Sequence, residues 1–149
     1  MLYAIVAVVA LNDMHAPFAD YALSADEMAR WDKLIALRTD VNAVLEEKRA
    51  AKTIGKSLEA RVTLTPDADA KAELAALSGL DLAELFIVSA VEITDVPGPD
   101  ARPGVNLPHI AVAADAAPGV KCPRCWVHST AADADGLCPR CAKVVSFLK

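Results

Sequence analysis

The sequence predicts an α+β chain: an N-terminal amphipathic helix, a small mixed α/β unit and a C-terminal four-cysteine knuckle. Three observations carry this. Apolar residues recur with mostly three- and four-residue spacing between Met28 and Leu45, the period of one face of a helix. Strict alternation follows at 58–65, the period of a half-buried strand. All four cysteines fall in the last 28 residues, as two Cys-x-x-Cys pairs. At 149 residues the chain is long enough for one ordinary domain or two very small ones.

In chain order, residues 2–11 are an apolar run with neither alternation nor helical phasing, open to a buried strand or a helix remnant, and 14–18 read as irregular chain. The run has ten residues, about half of what spans a bilayer, and no Lys or Arg precedes Arg30 to make a secretory leader. No membrane association is expected, and the chain reads as cytoplasmic. Ser24-Ala-Asp-Glu27 is a capping box: the serine hydroxyl accepts the Glu27 N–H and the glutamate reaches back. The helix it opens is placed at about 25–52, with Met28, Trp31, Leu34, Ile35, Val41, Val44 and Leu45 as its apolar residues. Gly55 suits the left-handed turn that ends it.

The alternation at 58–65 puts Leu58, Ala60, Val62 and Leu64 on one face of a strand and Glu59, Arg61, Thr63 and Thr65 on the other. Pro66-Asp67 opens a short helix to about Leu77, closed by Gly79. A second, more hydrophobic strand is expected at 85–94 and a third at 110–114. Between them, 96–108 carries four prolines and two glycines and reads as loop. The cysteine module follows Pro118-Gly119, with 131–136 as the turn between its halves. This divides the chain into a helical part at 1–56, an α+β part at 57–117 and the cysteine module at 118–149.

The net charge of −5 and pI near 5.1 argue against a chain that coats nucleic acid or an anionic membrane by bulk electrostatics. The charge is uneven, however. Residues 1–120 carry 10 Lys and Arg against 18 Asp and Glu, whereas 121–149 carry 5 against 2. Any contact with nucleic acid is therefore local, and the basic C-terminal module is the place for it. No Ser/His/Asp or Cys/His constellation and no phosphate-binding glycine loop occurs. His15 and His109 are isolated, and His128, two residues past Trp126, reads as a surface residue of the module rather than a ligand, four thiolates being already present.

The cysteine pattern is Cys122-Pro-Arg-Cys125, twelve residues, then Cys138-Pro-Arg-Cys141. Two residues between cysteines let both sulfurs of a tight turn face one point, and two such turns make the tetrahedral all-thiolate site that zinc prefers. The readings beside it are two independent redox dithiols, an iron–sulfur or mononuclear iron site, or unrelated cysteines. A zinc ion held by four thiolates is coordinatively closed, so its role is structural, and the module should be unfolded without it. The side chains displayed around the knuckles are then Lys121, Arg124, Trp126, His128, Arg140 and Lys143. Arginines in the turns would point a guanidinium outward, and Trp126 offers a stacking face, which suits phosphate and an unstacked base. The alternative for Trp126 is that it packs as the module's core.

Lys121-Cys-Pro-Arg-Cys-Trp126 with Leu137-Cys-Pro-Arg-Cys141 resembles the zinc finger shared by formamidopyrimidine-DNA glycosylases and bacterial isoleucyl-tRNA synthetases. The upstream block Trp31-Asp-Lys-Leu34, Leu37-Arg38, Val41, Val44-Leu45-Glu46, Arg49, Lys52 and Ile54-Gly-Lys-Ser57-Leu58-Glu59-Ala60 is similar to the C-terminal region of the synthetases. Residues 24–65 and 118–145 carry the resemblance. It implies that the long helix belongs to the anticodon-binding helical domain and that the zinc module lies against the anticodon arm of the isoleucine tRNA. The implied partners are that tRNA and the remainder of the synthetase, and the implied cofactor is one structural Zn²⁺. The implied tRNA contacts are Lys121, Arg124, Trp126, Arg140 and Lys143, with Lys52 and Lys56 at the Gly55 turn. His-x-Gly-His-type and Lys-Met-Ser-Lys-Ser-type motifs are missing, so this chain alone is expected to be inactive in charging tRNA. It reads as a C-terminal fragment. The rival reading is a free-standing zinc-ribbon interaction protein with no tRNA role. A glycosylase tail fits less well, because Leu2-Tyr3 replaces that family's Pro-Glu opening.

Overall fold

The structure is a computed structural model that describes residues 16, 18–76 and 80–148. The chain divides into two compact units, Met1–Asp32 and Lys33–Lys149, and the boundary falls within one helix, α1 (Ala25–Ala50). The expectation for residues 2–11 lies outside the described residues. In the first unit, α1 opens as the capping box predicts. The Ser24 N–H and hydroxyl both donate to Glu27 Oε2 at 2.8 Å, and the Glu27 N–H returns to Ser24 Oγ at 3.3 Å. The bond from the Ser24 backbone N–H contributes most to holding the Glu27 carboxyl below its ordinary range. Ahead of the helix, Phe18 and Tyr21 meet edge to face, 6.3 Å between centroids.

In the second unit, α1 buries Leu34, Leu37, Val41, Val44 and Leu45 on one side. Of the apolar residues the spacing singles out, Leu34, Val41, Val44 and Leu45 are buried as expected, whereas Met28, Trp31 and Ile35 are exposed and Leu37 takes a buried place outside that set. The helix stops two residues short of position 52, and its left-handed residue is Lys52 at φ 59, not Gly55. The Thr53 N–H bonds Lys48 O and the Lys52 N–H bonds Arg49 O, both at 2.9 Å, which satisfies the last carbonyls of the helix. Gly55 serves the next turn instead, donating its N–H to Glu59 Oε2 at 2.9 Å.

After a single 3-10 turn, Ser57–Glu59, come β1 (Ala60–Pro66), α2 (Ala70–Ala76), α3 (Leu82–Phe86), β2 (Ala90–Ile93), β3 (Arg102–Pro103) and β4 (Ile110–Ala116). The sheet order is β2-β1-β4-β3. Strand β1 pairs parallel with β2, from Arg61 opposite Ala90 to Leu64 opposite Ile93, and antiparallel with β4, from Ala60 opposite Ala116 to Pro66 opposite Ile110. A parallel pair needs a crossover, and α2 and α3 supply it. Val62 opposite Ala114 and Leu64 opposite Val112 share a face and join the α1 stripe, Ala70, Leu74, Phe86 and Val88 in one apolar cluster. The other face, expected to be polar, is partly covered: the chain at Gly98 crosses Thr63 and Ala113, both buried.

The first strand begins at Ala60 instead of Leu58, because Ser57–Glu59 is taken up by the turn. The helix after Pro66-Asp67 is present as α2, with Asp67 Oδ1 accepting the Ala70 N–H at 3.0 Å; its expected closure at Leu77–Gly79 lies outside the described residues. The strand expected at 85–94 is overturned in its first half. Asp81 caps a helix by accepting the Glu84 N–H at 3.1 Å, so Leu85 and Phe86 are helical; left-handed Ile87 stops that helix, leaving only Ala90–Ile93 extended. The strand placed at 110–114 is two residues longer, matching β1 along its length. The proline-rich stretch is loop apart from β3. Its residues 105–107 close over Asp40: the N–H groups of Val105, Asn106 and Leu107 and the Asn106 amide all donate to that carboxylate, at 2.7–3.1 Å. Gly104 permits this approach, since a Cβ there would lie 2.3 Å from Asp40 Oδ2.

Candidate metal centre

Past β4 the chain turns through Gly119, where φ is 96 and a Cβ would fall 2.3 Å from the Ser129 carbonyl oxygen. It then forms a short antiparallel ladder, β5 (Val120–Lys121) with β6 (His128–Ser129). The first knuckle fills the ladder's end. The Trp126 N–H bonds Cys122 O and the Cys122 N–H bonds Val127 O, both at 2.9 Å, with Trp126 left-handed at φ 68. In the loop that follows, Asp133 Oδ1 accepts the N–H groups of Asp135 and Leu137, the turn foreseen at 131–136. The second knuckle opens α4 (Pro139–Ser146), with Cys138 at the cap and Pro139 in the first turn, where its missing N–H is not needed. The sequence reading did not foresee this helix, although a proline just inside a helix start is its usual signature.

The four sulfurs of Cys122, Cys125, Cys138 and Cys141 lie within 4.8 Å of one another, and those of Cys125 and Cys138 are 3.6 Å apart. Sulfurs at about 2.3 Å from a tetrahedral ion are about 3.8 Å from each other, so this cluster fits one ion held by four thiolates. Two independent dithiols would keep their sulfur pairs apart. Three of the cysteines are buried, and among the described residues only Leu137, apart from the half-buried Cys125, packs on them as apolar neighbour. Among the described residues the module shows no other apolar cluster.

The thiols are electrostatically unequal. Burial pushes Cys122 up, but N–H bonds from Cys138, Cys125 and Arg124 outweigh it and bring the thiol to about 6. Cys125 also lies below the ordinary thiol range, burial being outweighed first by the Val127 N–H. Cys138 receives the Cys141 N–H, yet burial and the three neighbouring sulfurs raise it to about 11. Four thiols so close cannot all ionise alone, and a dication removes the conflict.

Arg124 of the first knuckle does not simply point away. Arg124 Nη1 lies 3.6 Å from Cys141 Sγ, and the cysteine thiols, Cys125 foremost, raise the proton affinity of Arg140. Both remain exposed. Trp126 is 57% exposed, so it does not serve as the module's core, and Lys56 Nζ stands 5.7 Å from its ring centroid. Lys121 Nζ reaches Glu59 Oε1 at 3.2 Å, and Glu59 also accepts the N–H groups of Gly55 and Lys56. The Gly55 turn and the first knuckle thus meet at one corner, a juxtaposition the sequence alone does not show. Lys52 and Lys143 are exposed. Both ring nitrogens of His128 are buried, so it is not the surface histidine its position suggested.

No family model matches the chain. Curated proteins do. The isoleucine–tRNA ligase of Geobacillus kaustophilus is 41% identical over 146 residues, 93% of this chain and 15% of that protein. That of Nitratidesulfovibrio vulgaris strain DP4 is 38% identical over 149 residues, 95% of this chain and 16% of the relative. That of Syntrophotalea carbinolica is 42% identical over 133 residues, 87% and 14%. The chain therefore spans about 15% of the length of these relatives. Identity at this level along nearly the whole chain, together with the four-cysteine cluster, shows that the chain corresponds to the C-terminal region of isoleucine–tRNA ligases.

Proposed function

We propose that this chain is the zinc-stabilised, tRNA-binding C-terminal part of a cytoplasmic isoleucine–tRNA ligase, and that it carries no adenylate chemistry of its own. The relatives' names support the tRNA assignment, and their similarity along nearly the whole chain does not favour a free-standing zinc-ribbon protein. The observation that carries the reading is the corner where exposed Trp126 stands beside Lys56, next to four thiols gathered as a structural metal site. Zinc held by Cys122, Cys125, Cys138 and Cys141 supplies folding energy and fixes the two turns. Trp126 offers its face to an unstacked base of the anticodon arm, and Lys56, Lys52, Lys121 and Lys143 meet phosphates around it. Arg124, with the N–H groups it does not use on Cys141, and Arg140 present guanidinium donors to phosphate. The part orients the tRNA, so its effect on charging comes through alignment, not through a reacting group.

The test is metal analysis on a purified, reduced sample, followed by a salt titration with isoleucine tRNA and a non-cognate tRNA. One zinc per chain, preference for the isoleucine tRNA and affinity that falls steeply with salt are expected. Equal affinity for both tRNAs overturns the recognition role.

A further inference from the structure

We infer that Glu59 is the positioning residue of the face formed by Trp126 and Lys56: its carboxylate grips the Gly55 turn with one oxygen and the root of the first knuckle with the other, and so sets the Lys56 ammonium against the Trp126 ring. The consequence for RNA rests on the tRNA reading above; the geometry does not.

Glu59 stands where three stretches of chain converge. Its Oε2 accepts the N–H groups of Gly55 at 2.9 Å and of Lys56 at 3.2 Å. Its Oε1 accepts from Lys121 Nζ at 3.2 Å, and Lys121 directly precedes Cys122 of the metal cluster. Its backbone carbonyl accepts the Ala117 N–H at 2.7 Å, where the chain leaves β4 for the module. The turn therefore cannot shift against β5 without breaking one of these bonds. Lys56 and Trp126 lie on opposite sides of this joint, with Lys56 Nζ 5.7 Å from the ring centroid, a distance at which the ring face attracts a cation. Trp126 is exposed, so the bonds to Glu59 fix that distance more than any packing of the indole does.

The charge of Glu59 separates this role from a simple electrostatic one. A carboxylate beside a surface that meets phosphate repels the ligand, so bulk electrostatics predicts that its removal tightens RNA binding. A positioning role predicts the reverse. Glutamine keeps the size of the side chain but has one acceptor oxygen in place of two, so it cannot hold the turn and Lys121 together.

The experiment uses the full chain with zinc bound. Without RNA, nuclear Overhauser contacts between the Lys56 ε-methylene and the Trp126 ring protons are expected in wild type and lost in Glu59→Gln and in Lys121→Met, while amide protection in β1 and β4 stays unchanged. Isoleucine tRNA is then titrated at fixed salt. Glu59→Gln is expected to bind it about fivefold more weakly, the low end of what a lost stacking contact costs. Contacts that persist in both variants, or binding by Glu59→Gln as tight as wild type or tighter, overturn the inference. Wild type that binds isoleucine and non-cognate tRNA equally overturns the tRNA reading instead, and the Lys56–Trp126 contacts then decide the positioning by themselves.

Discussion

Asp40 lies in the middle of a helix, yet it is 4% exposed and holds four donors from a loop more than sixty residues later. Burial opposes its charge, but the N–H groups of Asn106, Leu107 and Val105 outweigh it, so its carboxyl is held below the ordinary range. A depressed folded pKa means stability that is complete above the unfolded value of about 3.9 and is lost as pH falls through the folded value. The urea midpoint of wild type is thus expected to drop more between pH 6 and pH 3 than that of Asp40→Asn; parallel drops would locate the acid sensitivity elsewhere. At neutral pH, Asp40→Ala leaves three loop N–H groups without an acceptor and should lose about 2–4 kcal/mol. At Lys52, a side chain occupies a conformation that glycine adopts freely. Lys52→Gly is expected to raise stability by about 1 kcal/mol, and a lower thermal midpoint would contradict this. Neither residue was legible in the sequence. Asp40 reads as one more charge on a solvated helix until its loop is in place, and Gly55 drew attention from Lys52 because composition marks where a turn is allowed rather than where the helix runs out.

The elements fall into those whose period decides them and those decided by a cap. Helix α1 and strand β1 repeat long enough for spacing alone to find them to within two residues. The stretch 85–94 is short and apolar throughout, a composition that fits a buried strand and a buried helix equally. Asp81, three residues before Glu84, was the deciding signal. Asp81→Ala should therefore lose about 1 kcal/mol, read by urea unfolding, and no change would mean that packing of Phe86 alone sets the helix. The cysteine module belongs to a third kind, decided by its metal. Its ladder has two residues per strand and its apolar cluster is sulfur. Removal of metal by chelation is expected to abolish amide protection across 120–146 while β1 and β4 keep theirs, measured by hydrogen exchange. Persistent protection in the module would show that it folds on side-chain packing.

At the scale of the molecule, an acidic body carries a basic module, five Lys and Arg against two Asp and Glu in residues 121–149. The distribution was legible in the sequence and favours contact at the module, with the body discouraging indiscriminate RNA binding. Trp126→Ala is expected to weaken binding of isoleucine tRNA by about 1–3 kcal/mol with an unchanged salt slope, since stacking releases no counterions. A shallower slope with unchanged affinity at low salt would assign Trp126 no stacking role. Besides the Lys121–Glu59 ion pair and the Lys56–Trp126 contact, one hydroxyl ties module to body. The hydroxyl of Ser89, at the entry to β2, donates to Leu58 O and accepts the His128 N–H at 2.7 Å, so one oxygen joins sheet, turn and ladder. With Ser89 intact the knuckles are expected to tumble together with the sheet. With alanine there, the metal-bound module would keep its own shape and swing about its tether, a motion that nuclear spin relaxation detects as lowered order across the whole module while its internal geometry stays unchanged.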